Sequence, residues 1–182
     1  MIFEKLLLEK DGRKVEIILR EPEKKDARKL MEYYNRVIAE TEFLANITPV
    51  NMVKEKRWLS EMLKKMRKGN AAFILAEIHG NVAGTASLER KNIEVHQHVG
   101  NFGIAIRQEY SRMGLGTRMM QIIEEHARKM KIEIIQLSVY ERNAAAQDLY
   151  NKMGFSLAGK IPNAVKRESS YDNEIIMFKA IR

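Results

Sequence analysis

The chain contains no cysteine. That excludes a disulfide framework, a cysteine nucleophile and a thiolate-held zinc site. It also fits a reducing compartment, and the expected location is cytoplasmic. Proline is scarce: Pro22, Pro49 and Pro162 are the only three, and no linker or low-complexity tract interrupts the 182 residues. No apolar run approaches the roughly 18 residues that a membrane-spanning helix needs. The opening MIFEKLLLEK is too short and too charged to read as a signal peptide. No internal repeat is evident. What is present is an ordinary globular composition, 45% hydrophobic and 31% charged, enough for one core. The expectation is a single domain over residues 1–182.

The net charge is +8 and the excess is spread along the chain. Its densest cluster, KKMRKG at 64–69, ends a probable helix, where the dipole favours cations. That cluster reads as a solvated helix end. A basic surface attracts polyanions, but no nucleic-acid motif accompanies it, so a nucleic-acid-binding domain is the weakest of the functional readings.

Residues 3–8 and 14–20 flank Asp11-Gly12, a hairpin signal. Apolar positions at helical spacing mark helices over about 23–40 and 53–68, the second stopped by Gly69. AAFILAEIH (71–79) and VAGTASLER (82–90) flank Gly80-Asn81 as a second hairpin, and VGNFGIAIR (99–107) reads as a further strand. A helix then runs to about Met130, followed by a buried strand KIEIIQLSVY (131–140) and a short helix over 143–153. GFSLAGKI and NEIIMFKAI supply the last strands. The order ββααβββαβαββ predicts an α/β or α+β mixed-sheet domain. Its 99–140 strand–helix–strand unit should hold two parallel neighbours with a right-handed crossover.

The stretch SRMGLGTRMM, residues 111–120, joins strand to helix. A helix N-terminus offers N–H groups without intrahelical partners together with a partial positive charge. Such a turn binds anions, phosphate above all. Gly114 and Gly116 permit close backbone approach, and Arg112 and Arg118 add charge. No Gly-Lys-Ser/Thr occurs, which excludes a P-loop. The third glycine of the dinucleotide fingerprint is also missing, since Met119 stands there. Taken alone, the turn is equally a flexible entry to a helix.

The stretch resembles the pyrophosphate-binding motif of the GNAT superfamily of acyl-CoA-dependent N-acyltransferases, [QR]-x-x-G-x-[GA]. Here it reads Ser111-Arg112-Met113-Gly114-Leu115-Gly116, with Ser in place of the first Gln or Arg. A second motif, Asn143-Ala144-Ala145-Ala146-Gln147-Asp148-Leu149-Tyr150-Asn151-Lys152-Met153-Gly154-Phe155, is similar throughout to the family's N-x-x-A-x-x-L-Y-x-K-x-G-F. Tyr171 to Met177 resembles its final strand, and Leu19-Arg20-Glu21-Pro22 its first. The resemblance implies one central mixed sheet of about seven strands flanked by about four helices. It also implies acetyl-CoA as donor and an amine as acceptor, and it leaves room for a homodimer.

By the same resemblance, the diphosphate lies on the main chain of about Arg112 to Thr117, and Ser111 belongs to the same binding motif. The pantetheine arm pairs with Ile104, Ala105 and Ile106 like an added strand. The N–H near Ile106 faces the thioester oxygen. Asn143 binds the pantetheine amides, and Ala146 and Tyr150 are further cofactor-binding residues. Tyr150 is the general acid for the departing thiolate. Its phenol, with an ordinary pKa near 10, holds a proton at neutral pH. Plainer readings stand beside these: core packing for the isoleucines, an amphipathic core tyrosine for Tyr150, and an N-cap for Asn143.

The general base stays open among Glu40, Glu42, Glu89, His96 and His98, or substrate-assisted loss of the amine proton to water. The position nearest the family's glutamate holds Asn101, which is no base. His96-x-His98 has no third ligand nearby, so no metal is expected. The acceptor site is expected between the helical region 27–60 and a loop over 156–172, with Tyr33, Phe43 and Trp58 in its wall. The plainer reading of Trp58 is core. The alternative to an enzyme is a CoA-binding, non-catalytic regulatory or interaction module.

Overall fold

The computed structural model describes residues 1–168 and 170–181. Its strands are β1 (Ile2–Lys10), β2 (Arg13–Arg20), β3 (Ala71–Ile78), β4 (Asn81–Arg90), β5 (Val99–Ile106), β6 (Ile134–Tyr140), β7 (Ser156–Lys166) and β8 (Tyr171–Ala180). The helices are α1 (Ala27–Glu40), α2 (Met52–Arg67), α3 (Leu115–Lys129) and α4 (Ala144–Lys152). The strands form one mixed sheet in the order β1-β2-β3-β4-β5-β6-β8-β7. It has eight strands rather than about seven. The expected loop over 156–172 is instead largely the β7–β8 hairpin, and β6 begins at Ile134 rather than at residue 131.

Helices cover both faces. One core lies between the sheet and α3 with α4, and includes Leu115, Met119, Ile123, Leu137, Val139 and Tyr150. The other lies under α1 and α2, from Leu30, Tyr33, Val37, Leu59, Met62, Phe73 and Leu75. β3 is apolar almost throughout because it is central and covered on both sides. At the start of α1, Asp26 is 1% exposed. Arg20 donates to both its carboxylate oxygens, at 2.7 and 2.8 Å, and reaches Glu77 at 2.6 Å. Burial alone would raise the Asp26 carboxyl, but Arg20 and the Glu23 N–H hold it below the usual range. Asn51 caps α2 through Lys54 N at 3.0 Å, and Asn35 clamps Val50 from both sides at 2.8 and 2.9 Å.

All strand neighbours are antiparallel except β5 and β6, which are parallel and joined through α3. Their pairing lasts three residues, Val99↔Ile134, Gly100↔Ile135 and Asn101↔Gln136.

Candidate active site: a parted strand pair and a donor-lined turn

Beyond Asn101 the two strands part. β5 stays on β4 as far as Gly84↔Ile106, while β6 stays on β8 as far as Tyr140↔Glu174. A gap therefore opens in mid-sheet. Arg107 N donates to Ala83 O at 2.9 Å, so the odd-numbered residues of β5 turn their main-chain groups towards β4. The even-numbered ones, including Ile104 and Ile106, turn theirs towards the gap. Ala105 thus differs from its neighbours: its polar atoms face β4, and its carbonyl also accepts the Tyr33 hydroxyl at 2.6 Å. Of the three residues expected to pair with a ligand chain, Ile104 and Ile106 line the gap and Ala105 does not.

The end of β5 is anchored to α1. One Glu40 oxygen accepts from Arg107 Nε and Nη2 at 3.1 and 3.0 Å, and the other accepts from Gln108 N at 3.0 Å. Glu40 is therefore an anchor rather than a free base. Ser111 next closes a turn of 3-10 helix, giving both its N–H (3.2 Å) and its hydroxyl (2.8 Å) to Gln108 O. Ser111, expected at the phosphate, is committed to this turn.

The six following N–H groups, from Arg112 to Thr117, donate to no described residue. The next main-chain donor is Arg118 N, to Gly114 O at 3.1 Å. Gly114 sits at φ 84°, which L side chains avoid, and a Cβ there would meet nothing within 4 Å. Gly116 is needed for space: a Cβ would come within 3.0 Å of Leu149 Cδ2 and 3.3 Å of Ile106 Cδ1. The buried side chains of Met113 and Leu115 pin the turn to the core. Arg112 is exposed, whereas Arg118 is occupied by Glu4 and by Gln121 at 3.0 Å. A run of open donors at the start of a 15-residue helix is an anion site.

Across the gap, α4 presents Tyr150. Its ring lies edge-on to Phe102 at 6.3 Å and against Phe155 at 5.9 Å. Burial pushes its phenol up to about 12. Among the described residues no sealed side-chain polar atom lacks a partner, and none donates to or accepts from this hydroxyl. The buried ring therefore carries a hydroxyl open to the cleft. Asn143 caps α4, its Oδ1 accepting from Ala146 N at 3.2 Å. This is the capping geometry, and it places Asn143 and Ala146 side by side.

These parts occur together in known proteins. Residues 30–155 match the model of the acetyltransferase (GNAT) family. The chain belongs to that family. It is similar to the L-methionine sulfoximine/L-methionine sulfone acetyltransferase of Pseudomonas aeruginosa, with 24% identity over 134 residues, 73% of this chain and 76% of that one. Its fold is similar to a GNAT-family acetyltransferase of Streptococcus pneumoniae, with TM-score 0.83 and 28% identity over 91% of this chain and 99% of the other. It also resembles yncA, a putative acetyltransferase of Salmonella typhimurium solved with its cofactor acetyl-CoA, with TM-score 0.81 and 17% identity over 91% and 94%.

The opposite face of this GNAT sheet carries a groove of about 730 Å³ over β4 and β5. Ser87, Glu89, His96, Asn101, Phe102 and Gly103 line it, where the strands begin to part. Glu89 lies across the ladder from Asn101 and pairs with Lys65 of α2 at 2.5 Å. His98 stands apart, its carbonyl accepting from Glu133 N (2.8 Å) and Ile134 N (3.1 Å). Glu42 pairs with Arg142 at 3.3 Å. Arg167 of the β7–β8 connection binds the carbonyls of Glu42 and Leu44, the latter at 2.8 Å, and stacks on Tyr140 at 5.6 Å, tying the α1–α2 loop across the sheet.

Tyr33 does not line the groove: it is 3% exposed and its phenol is pushed up by burial. Trp58 is neither groove wall nor core, being 42% exposed and edge-on to Phe73 at 5.2 Å. Phe43 is half-buried in the loop that Arg167 holds. The sequence marks neither Ser87 nor Gly103, and Lys65 reads there as part of a solvated helix end. The signal for the first two was the period-2 alternation of SLE and NFG, which sets Ser87 with Glu89 and Asn101 with Gly103 on one face. Glu55 was also missed. It is 6% exposed in the first turn of α2, and burial pushes its carboxyl up to about 7. Among the described residues no cluster of three His, Cys, Asp or Glu could hold a metal, and no helix is long and apolar enough to cross a membrane.

Proposed function

We propose that the protein is an N-acetyltransferase that moves an acetyl group from acetyl-CoA to a primary amine, by direct attack with both substrates bound. The observation that carries this reading is the run of six unpartnered N–H groups from Arg112 to Thr117 beside the parted strands. A diphosphate has the charge and reach to engage several of them. The resemblance to yncA, which was solved with acetyl-CoA, supports the donor. The similarity to an enzyme acting on methionine derivatives supports a small amine as acceptor.

The geometry supports a role for each residue. The main chain of Arg112 to Thr117 binds the diphosphate. Ile104 and Ile106 offer main-chain groups to the pantetheine arm, and the Ile106 N–H is the donor for the developing oxyanion. Asn143 and Ala146 flank the arm from α4. The thioester supplies the acetyl group. The amine must be neutral to attack, and Glu89 is the one carboxylate among the described residues lining the groove that can take its proton. As the C–N bond forms and the C–S bond breaks, Tyr150 Oη gives its proton to the departing sulfur. A phenol raised to about 12 keeps that proton throughout the neutral range.

The test is calorimetry with acetyl-CoA, followed by thiol release across a broad amine panel. Binding with turnover on at least one amine is expected. Absence of binding at millimolar donor would overturn the reading. Binding without transfer to any amine would favour a CoA-binding regulatory module instead.

A further inference from the structure

We propose that the groove selects a zwitterionic α-amino acid, Glu89 receiving its ammonium group and Lys65 its carboxylate; this rests on the transferase reading and narrows its acceptor. The helix end that reads in sequence as a solvated basic cluster places Lys65 in the groove wall, 2.5 Å from Glu89. The two charges present the groove with one cation and one anion side by side. An α-amino acid carries the complementary pair on a single carbon. It can exchange one internal ion pair for two intermolecular ones.

The arginine and the other lysine of the wall do not compete. Arg90 is spent on the carbonyls of Gln97 and Met130, and Lys91 on Gln136 Oε1 at 2.8 Å. That singles out Lys65 as the cation of the groove and Glu89 as its anion. Both side chains are partly solvated, at 51% and 35% exposure, so their mutual attraction is screened and opening the pair costs little. The position suits the chemistry. Glu89 stands opposite Asn101, the last residue of β5 paired with β6, so an amine held there sits at the mouth of the gap. Ile93, exposed at the wall, supplies an apolar surface for the acceptor's side chain. A protein N-terminus or a lysine side chain brings only positive charge. By drawing Glu89 away it would leave Lys65 unpaired beside a second cation.

The experiment compares L-amino acids with their α-amides and with tripeptides that begin with the same residue, under saturating acetyl-CoA. The amide is the less basic amine and has more neutral nucleophile near pH 7, so a preference for the free acid cannot come from amine basicity. The wild type should favour the acid by roughly 10- to 100-fold in kcat/KM, the size of one charge-assisted hydrogen bond, chiefly through KM. Lys65→Met should bring acid and amide within about threefold, chiefly by raising KM for the acid, and Lys65→Glu should invert the order. Glu89→Gln should raise KM for both and, with the base removed, lower kcat for both. Equal use of acid and amide by the wild type, or a preference that survives Lys65→Met, would overturn the proposal and leave the transferase reading standing. Transfer to none of these and to no other amine would overturn both.

Discussion

Gly114→Ala isolates the backbone conformation that aims the donor-lined turn. A Cβ at Gly114 meets nothing within 4 Å, so the substitution has no steric cost of packing. The whole effect comes from φ 84°, and an L-residue in the left-handed region costs about 1–2 kcal/mol. For a chain of this length that lowers Tm by about 5 °C. If the turn relaxes instead, the N–H groups of Leu115 to Thr117 swing off axis. Misaligning one charge-assisted hydrogen bond weakens acetyl-CoA binding roughly 10- to 100-fold. Asn tolerates this conformation better than Ala, so Gly114→Asn should recover part of either loss. Gly116→Ala is the contrasting case. Its Cβ would press on Leu149 and Ile106, while Ala gains about 1 kcal/mol of helix propensity over Gly. Stability should stay within about 1 kcal/mol of the wild type as Ile106 shifts at the gap. Differential scanning and titration calorimetry on the three variants read both quantities. A Gly114→Ala protein with unchanged Tm and unchanged affinity would refute the reasoning. So would an Asn variant no better than the Ala one.

Tyr150→Phe keeps the ring packing and removes the acid, so kcat should fall roughly 100- to 10,000-fold with donor affinity kept. In the wild type the phenol is raised to about 12, so its proton-donating form persists on the alkaline side, and no rate loss from its ionisation is expected below about pH 10. Glu55 has its carboxyl raised from 4.5 to about 7, so its contribution to stability is whole below pH 4.5 and is lost as pH rises through 7. Glu55→Gln should therefore stabilise the fold by about 2 kcal/mol at pH 8 and leave it nearly unchanged at pH 4, as read from denaturant midpoints. Arg20→Leu strands Asp26 and should cost about 3 kcal/mol at pH 7. Because the Asp26 carboxyl is held low in the wild type, that stabilisation disappears as pH falls through its folded value, so the deficit should shrink towards pH 3.

The element order was legible because its signals are local. Asp11-Gly12 and Gly80-Asn81 mark hairpins, and the 3.6-residue spacing of α1 to α3 survives burial. The turn at Gly114 was legible for the same reason, since its chemistry lies in consecutive main-chain groups. Residues whose role depends on distant partners were not. Tyr33 was expected in the acceptor-site wall because nothing nearby in sequence announces Ala105, 72 positions away. Glu40 looked like a base until Arg107 and Gln108 folded onto it. Lys65 belongs by sequence to a charge cluster and by structure to the groove. Ala105 shows the limit of reading by residue type: the parity of the β4–β5 ladder decides that its main-chain groups turn away from the gap.

The seam between β5 and β6 has a mechanical consequence. With three paired positions, it joins β1–β5 to the β6–β8 block far more thinly than either block is joined within itself. A long molecule bonded along one margin and packed on the other works as a splint. Its arrival should make the two blocks melt as one, and should slow amide exchange in β8, which it never touches.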